Sequence, residues 1–245
     1  NAGMNVYVKL LKGGNMHHEA EAIFKALAKC VQDAVKVVSD RIPSSKGVLY
    51  LLGIFDYGAG NLRAVQKALE AIGEKAVISG DRSVLDGCEK LILPGVGSFG
   101  AGMAQLCAAD LDKYILERVK DTKLLGICLG MQFLLEKSFE DGEFQGLGLV
   151  KGQVIRFTEG KIPQIGWNEV TCLKTPLFDG IAEGTRFYFV HSYRADCADR
   201  FAAAKTEYYV QYPSAVYAGN VYGVQFHPEK SGEAGLRLLK NFCSM

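Results

Sequence analysis

The chain has 245 residues, of which 49% are hydrophobic, and its formal net charge is +1. This near-neutral balance argues against nucleic acid or a membrane surface as a partner, and the length is sufficient to bury a substantial core. No apolar run approaches the roughly 18 residues that span a bilayer, and the N-terminus lacks the pattern of a secretory signal. We therefore expect a soluble cytoplasmic protein.

The cysteines are odd in number and scattered, and no two of them form a Cys-x-x-Cys pair. This pattern indicates neither a disulfide framework nor a structural zinc site. We predict that most of the cysteines are small core residues and that the protein uses no cofactor.

The first 48 residues differ in character from the rest of the chain. Apolar residues recur at helical spacing between Phe24 and Val38, which predicts an amphipathic helix over about residues 19–38. The segment Ile42–Gly47 is rich in Pro, Ser and Gly and marks a boundary near residue 48. One helix in 48 residues cannot build a core, so we predict an N-terminal helical appendage (1–48) and a main domain (49–245).

After the boundary, strand and helix patterns alternate. The predicted strands are Val48–Phe55, Lys75–Ser79, Glu89–Leu93 and Lys123–Ile127, and the predicted helices are Asn61–Ile72, Met103–Lys120 and Gly130–Glu136. Alternation of this kind is typical of an α/β fold with a mostly parallel sheet flanked by helices.

From Lys151 onward, runs of β-branched and aromatic residues replace the alternation. They predict strands over Gln153–Phe157, Arg186–Val190 and Asn220–Phe226, which we interpret as a C-terminal, mostly antiparallel extension of the same domain. A helix over Glu233–Phe242 is predicted to close the chain.

A cysteine stands between two glycines in the segment Gly126-Ile127-Cys128-Leu129-Gly130, directly after a predicted strand. A Gly-x-nucleophile-x-Gly pattern between a strand and a helix permits a sharp turn that exposes the nucleophile at the edge of a sheet. The helix that follows would direct its positive end at the sulfur and favour the thiolate. Cys128 is therefore a candidate nucleophile; the alternative is an inert buried cysteine in an ordinary turn.

A cysteine nucleophile needs a base, and the base needs an orienting acceptor. His227 follows a predicted strand and precedes Pro228 and Glu229, so the carboxylate of Glu229 can fold back toward the imidazole. His191 has no carboxylate closer in sequence than Asp196, and we interpret it as shaping the pocket.

Donors for a developing oxyanion are predicted in the loop after the strand Glu89–Leu93. Gly95, Val96 and Gly97 offer a flexible backbone that could turn an amide group inward. The alternative is that these glycines only form a strand-end loop.

Six motifs in chain order resemble the class I glutamine amidotransferases, over about residues 49–245. They are Tyr57–Leu62, Pro94–Gly97, Gly126–Gln132, Pro163–Asn168, Tyr188–Tyr193 and Gln225–Ser231. Two of them, Pro163–Asn168 and Tyr188–Tyr193, resemble segments particular to the glutaminase subunits of imidazole glycerol phosphate synthases.

The resemblance implies a glutaminase that releases ammonia from glutamine through a thioester on Cys128, with His227 and Glu229 as proton shuttle and orienting group. It implies an oxyanion site at backbone amides near Val96 and at Leu129. Gln132 and the backbone of His191, Ser192 and Tyr193 would hold glutamine.

The resemblance also implies a partner: a (β/α)8-barrel cyclase that receives the ammonia for histidine biosynthesis. Our candidate docking face comprises Pro163, Gln164, Gly166, Trp167 and Asn168, a segment that carries the single tryptophan. The alternative is that this tryptophan is an aromatic anchor beneath a hairpin.

The N-terminal segment resembles the C-terminal end of imidazoleglycerol-phosphate dehydratase. In that family the residues matching His17, His18 and Glu21 are manganese ligands, and a lysine matching Lys46 contacts phosphate. Three ligands on one helix do not complete a metal site, so we predict no bound metal and no dehydratase activity for residues 1–48. The segment is interpreted as the tail of a fusion or read-through of two enzymes, or as part of a truncated longer chain.

Three other functions stay open on the sequence. The first is a class I glutaminase that serves another synthase. The second is a catalytically silent module that regulates a partner, and the third is a metal-binding dehydratase fragment.

Overall fold

A computed structural model of the protein describes residues 50–245. The predicted helix over residues 19–38, the boundary near residue 48 and the residues His17, His18, Glu21 and Lys46 lie outside this range.

The centre of the fold is a seven-stranded sheet with the strand order β11-β12-β13-β4-β3-β1-β2. Its strands are β1 (Tyr50–Phe55), β2 (Ala76–Ser79), β3 (Cys88–Gly95), β4 (Lys123–Cys128), β11 (Ala202–Tyr208), β12 (Val210–Ala218) and β13 (Val221–Val224). The pairs β2/β1, β1/β3, β3/β4 and β4/β13 are parallel, whereas β13/β12 and β12/β11 are antiparallel. The predicted mostly parallel sheet with an antiparallel extension is confirmed.

Helices connect the parallel strands and lie on both faces of the sheet. They are α1 (Leu62–Ala71), α2 (Arg82–Leu85), α3 (Phe99–Ala108), α4 (Leu111–Arg118), α5 (Leu129–Phe133) and α6 (Gly232–Ser244). None of the helices in residues 50–245 is long and apolar enough to cross a membrane.

Two hydrophobic clusters fill the two faces of the sheet because the side chains of its strands alternate between them. On β3, Ile92 joins the cluster that contains α1 and α6, whereas Leu91 and Leu93 join the cluster that contains α3 and α4. Burial on both faces explains why the sequence of these strands is a continuous apolar run rather than an alternating one.

Two smaller sheets complete the fold. A four-stranded sheet has the order β10-β7-β5-β6, formed by β5 (Leu135–Ser138), β6 (Phe144–Gln145), β7 (Val150–Arg156) and β10 (Tyr193–Asp196). A hairpin pairs β8 (Gln164–Val170) with β9 (Thr185–His191), and Gln164 lies opposite His191.

Two helix predictions were wrong in their bounds. The predicted helix over residues 103–120 is two helices, α3 and α4, because Asp110 adopts a left-handed conformation with φ of 55° and interrupts the helical path. The predicted helix over residues 130–136 ends at Phe133, and Leu135 instead pairs with Val150 of β7. This pairing partner lies too far along the chain for local periodicity to reveal it.

Candidate active site

Cys128 is the last residue of β4 and stands at a sharp turn into α5. Its φ of 57° and ψ of −113° lie outside the regions that residues with a side chain favour. The backbone around it is closely packed: a β-carbon on Gly126 would lie 2.6 Å from the Gly130 carbonyl oxygen, and one on Gly95 would lie 2.6 Å from the Gly130 nitrogen. Glycines at these positions therefore let β3, β4 and α5 approach one another closely enough to form the turn.

His227 and Glu229 form a buried pair beside the end of β13. Nδ1 of His227 lies 2.8 Å from Oε1 of Glu229, and the two side chains are 3% and 1% exposed. The His227 N–H donates to the carbonyl oxygen of Tyr188 at 2.9 Å, which fixes this segment against β9. Because a carboxylate only accepts, the ring proton is on Nδ1 and Nε2 is available for proton transfer.

The sulfur of Cys128 and the carboxylate of Glu229 act together on His227. Burial by itself lowers the pKa of His227, but hydrogen bonding to Cys128 and Glu229 and their negative charge outweigh it and raise the pKa to about 9. Nε2 of His227 is buried and makes no hydrogen bond within the described residues. The arrangement suits a protonated imidazole that can give its proton to a leaving group.

A cavity of about 320 Å³ opens above Cys128. It is lined by Val96, Gly97, Cys128, Leu129, Gln132, Glu140, Pro163, Val190, His191, Ser192, Tyr193, His227 and Lys230. The structure thus brings together nearly all of the site residues predicted from the sequence. Gly95 and Glu229 lie behind the lining: Gly95 pairs in register with Cys128, and Glu229 is buried behind His227.

Sequence reasoning missed two charged residues in this cavity. Glu140 lies in the loop after β5, and its Oε2 accepts a hydrogen bond from the Phe99 N–H at 2.6 Å. Lys230 directly follows Glu229 and lies three residues after the predicted base His227, and this closeness in sequence could have identified it as a site residue. No local pattern marks Glu140, because its position depends on the pairing of β5 with β7.

His191 is a neutral, structural imidazole rather than a base. Burial lowers its pKa to about 4, although the bond to the Tyr193 carbonyl partly opposes this shift. Its Nδ1 donates to that carbonyl at 2.7 Å, and its Nε2 lies 3.2 Å from the hydroxyl of Tyr212. The prediction that His191 shapes the pocket agrees with this placement.

The predicted docking segment lies on β8 and divides into buried and exposed positions. Gln164 is fully buried, where its Oε1 accepts from the Tyr212 hydroxyl at 2.9 Å, and its Nε2 donates to Asn168 at 3.0 Å. Trp167 is 52% exposed, and Ile165, which the sequence did not single out, is 61% exposed. Because β8 alternates its faces, Ile165 and Trp167 point to the surface whereas Gln164 points inward, and the docking face stays a prediction. Trp167 is likewise too exposed to be an anchor beneath a hairpin.

No three His, Cys, Asp or Glu side chains in residues 50–245 converge in an arrangement that could hold a metal ion.

A family model for class-I glutamine amidotransferases matches residues 54–245. Solved structures agree on the fold: a glutamine amidotransferase crystal structure has a TM-score of 0.64 at 21% identity and covers 79% of this chain and 97% of its own. PurLQS from Thermotoga maritima also has a TM-score of 0.64, at 22% identity, with 79% and 97% covered. The fold and the site define a class-I glutamine amidotransferase.

Curated relatives place the chain more narrowly. The imidazole glycerol phosphate synthase subunit HisH of Methanocaldococcus jannaschii is 46% identical over 198 residues, which cover 80% of this chain and 100% of the relative. The subunit of the same name from Caldanaerobacter subterraneus is 47% identical, with 80% and 98% covered. The chain belongs to the HisH family of imidazole glycerol phosphate synthase subunits.

Proposed function

We propose that the chain hydrolyses glutamine to glutamate and ammonia and supplies the ammonia to the cyclase subunit of an imidazole glycerol phosphate synthase. The observation that carries the proposal is the convergence of Cys128, His227 and Glu229 on one cavity. Membership in the HisH family supports the acceptor reaction.

The reaction begins with the sulfur of Cys128 as nucleophile. Sγ attacks the side-chain amide carbon of glutamine, a C–S bond forms, and the carbonyl electron pair moves onto the oxygen. We assign the oxyanion to backbone N–H groups near Val96 and at Leu129, two residues that line the cavity with Cys128. Leu129 begins a helix, so its N–H has no partner within that helix.

His227 then moves the protons of both half-reactions. As the oxyanion collapses, the C–N bond breaks and the leaving nitrogen takes the proton from Nε2, so that ammonia departs from a thioester. Water next gives a proton to Nε2 while its oxygen attacks the thioester carbon, the C–S bond breaks, and glutamate leaves with the sulfur restored. Glu229 holds the ring in the required tautomer throughout.

The charges around the cavity suit a zwitterionic amino acid. Glu140 has one oxygen bound to the Phe99 N–H, and we assign its other oxygen to the α-ammonium group of glutamine. Gln132 and the backbone of Ser192 and Tyr193, which line the same cavity, complete the proposed glutamine site.

The partner in this proposal is a (β/α)8-barrel cyclase that docks on the exposed residues of β8. Ile165 and Trp167 are large apolar side chains more than half exposed, and Pro163 at the start of the same segment lines the cavity. An interface at this face would lie next to the site that releases ammonia.

We assign this function to residues 49–245, and residues 1–48 stay a predicted inactive appendage. We place the protein in the cytoplasm. The six cysteines identified in the described range, at 88, 107, 128, 172, 197 and 243, are all free, which suits a reducing compartment.

The test measures glutamate release by the purified chain with and without the cyclase subunit and its nucleotide substrate. We expect low release alone, strong stimulation in the complex, and loss of release in a Cys128→Ala variant. Cys107→Ala is the matched control, because Cys107 is exposed and lies outside the cavity.

Stimulation by a synthase of another pathway alone would instead identify a glutaminase for a different acceptor. Unchanged glutamine-dependent synthesis in Cys128→Ala would identify a catalytically silent partner-binding module.

A further inference from the structure

Three consecutive hydrogen bonds join the wall of the cavity to the sulfur of Cys128. Nε2 of Gln132 donates to the Tyr193 carbonyl at 3.1 Å and to Oε1 of Gln225 at 3.0 Å. Nε2 of Gln225 in turn donates to Sγ of Cys128 at 3.8 Å. Gln225 is fully buried and Gln132 is 4% exposed, so neither amide has bulk water as an alternative partner.

The Tyr193 carbonyl fixes the orientation of both amides. A carbonyl can only accept, and this one already accepts from Nδ1 of His191, whose imidazole is neutral. Gln132 must therefore present its NH₂ group to it, since the reverse orientation would place two oxygens in contact. The second N–H of Gln132 then requires an acceptor from Gln225, which leaves the NH₂ group of Gln225 directed at the sulfur.

The segment after β13 carries both Gln225, which donates to the sulfur, and the base His227, which lines the cavity with Cys128. Gln225 and His227 both lie in the short segment that follows β13, in which Gln225 and Phe226 form a bend. Phe226, between them, is fully buried in the hydrophobic cluster that also contains Cys128. The Gln225 N–H donates to the Ser214 carbonyl at 2.9 Å, which ties this segment to β12.

We propose that Gln225 is a sulfur-facing donor that stabilises the negative charge of Cys128 during glutamine hydrolysis. Gln225 is neither a lining residue of the cavity nor a member of the Cys-His-Glu arrangement. Its role rests on the proposed function, in which Cys128 is the nucleophile. Gln225 is then the donor to the sulfur, whereas His227 exchanges its proton with the substrate. Gln225 keeps its protons and acts by electrostatics alone.

The test compares Gln225→Met, which keeps a side chain of similar length without a donor, with the unchanged chain. The rate of Cys128 alkylation by iodoacetamide is followed against pH by mass spectrometry of the separated peptides, without glutamine or partner. Because a hydrogen bond to a charged group stabilises it, we expect the midpoint of the alkylation profile to rise, and the alkylation rate at pH values below the midpoint to fall about tenfold for each pH unit of that rise. Alkylation of Cys107, which is exposed, is the internal reference and stays unchanged.

A second variant and a control separate this role from a purely structural one. Gln225→Glu keeps the acceptor for Gln132 and places a carboxylate oxygen against the sulfur, so its midpoint also rises. Thr206→Val removes a different buried hydrogen bond, from Thr206 to Ser214 at 2.8 Å, and leaves the midpoint unchanged. Urea unfolding checks that each variant is folded.

The assignment would be overturned if both Gln225 variants fold and their alkylation profiles superimpose on that of the unchanged chain. If the variants shift the profile but the unchanged chain releases no glutamate even with the cyclase, the donor role of Gln225 stands and the proposed glutaminase function is overturned. In an active enzyme we expect kcat of Gln225→Met to fall most at low pH while KM for glutamine changes little, because the donor acts on the sulfur and not on the bound substrate.

Discussion

At the scale of single residues, the backbone of Cys128 is the strained point of the site. A residue with a β-carbon at φ of 57° and ψ of −113° costs roughly 1–3 kcal/mol relative to a relaxed conformation. The surrounding glycines hold the turn in place, and the strain directs the sulfur into the cavity while Leu129 starts the next helix.

This strain predicts an unusual order of stability at position 128. Replacing Ala by Gly usually destabilises a regular element by roughly 0.5–1 kcal/mol, because glycine loses more conformational freedom on folding. We expect Cys128→Gly to be at least as stable as Cys128→Ala, since glycine relieves the strain that alanine retains. The free energy of unfolding in urea, measured for both variants, checks this order.

The matched control is the same pair of substitutions at Cys107, which lies in α3 and is exposed. There we expect the glycine variant to be the less stable one. If the glycine variant is less stable than the alanine variant at both positions, the turn at Cys128 is not strained.

At the scale of secondary-structure elements, the site forms where three neighbouring parallel strands end. β3 leads into the loop Gly95–Gly97, β4 ends at Cys128, and β13 is followed by Gln225 and His227. The carboxyl ends of parallel strands lie at one edge of a sheet, so residues distant in sequence converge there. The approach of β3 and α5 at this edge depends on Gly130, where a β-carbon would collide with the carbonyl oxygen of Leu93.

This collision predicts that Gly130→Ala is severely destabilising. The clashing atom belongs to the backbone of a central strand and cannot move without breaking the pairing of β3 with β4, so we expect a loss of about 1–3 kcal/mol or more. Gly87→Ala is the control, because its added β-carbon would lie 3.4 Å from the Val84 carbonyl oxygen, an ordinary contact. Thermal unfolding distinguishes them, and equal midpoints would contradict the packing argument.

The sequence predicts those elements whose signals are local. The buried parallel strands read as apolar runs, and Cys128, His227 and Glu229 stand in short segments with turn-forming neighbours. The strand Leu135–Ser138 reads as the end of a helix, because only its pairing with β7 makes it a strand. Gln225 and Glu140 were missed as site residues for the same reason: their partners, Cys128 and Phe99, are distant in sequence.

At the scale of the whole molecule, the hairpin of β8 and β9 connects the cavity with an exposed apolar face. Val190 and His191 at the end of β9 line the cavity, and they pair with Ile165 and Gln164 of β8. Trp167 lies edge-on to Tyr188, with ring centroids 6.2 Å apart, and the Tyr188 carbonyl accepts the His227 N–H. A partner seated on Ile165 and Trp167 would therefore contact the element that carries one wall of the site.

This arrangement predicts that Trp167→Ala weakens binding of the cyclase subunit without unfolding the chain. Truncation of a tryptophan in an interface commonly costs about 2 kcal/mol or more, so we expect the dissociation constant to rise at least tenfold, as measured by isothermal titration calorimetry. The thermal midpoint should change little, because Trp167 is 52% exposed in the free chain. Leu116→Ser is the control: Leu116 is also an exposed apolar residue, at 41%, but it lies on α4. Equal affinities for Trp167→Ala and Leu116→Ser would show that the cyclase docks elsewhere than on β8.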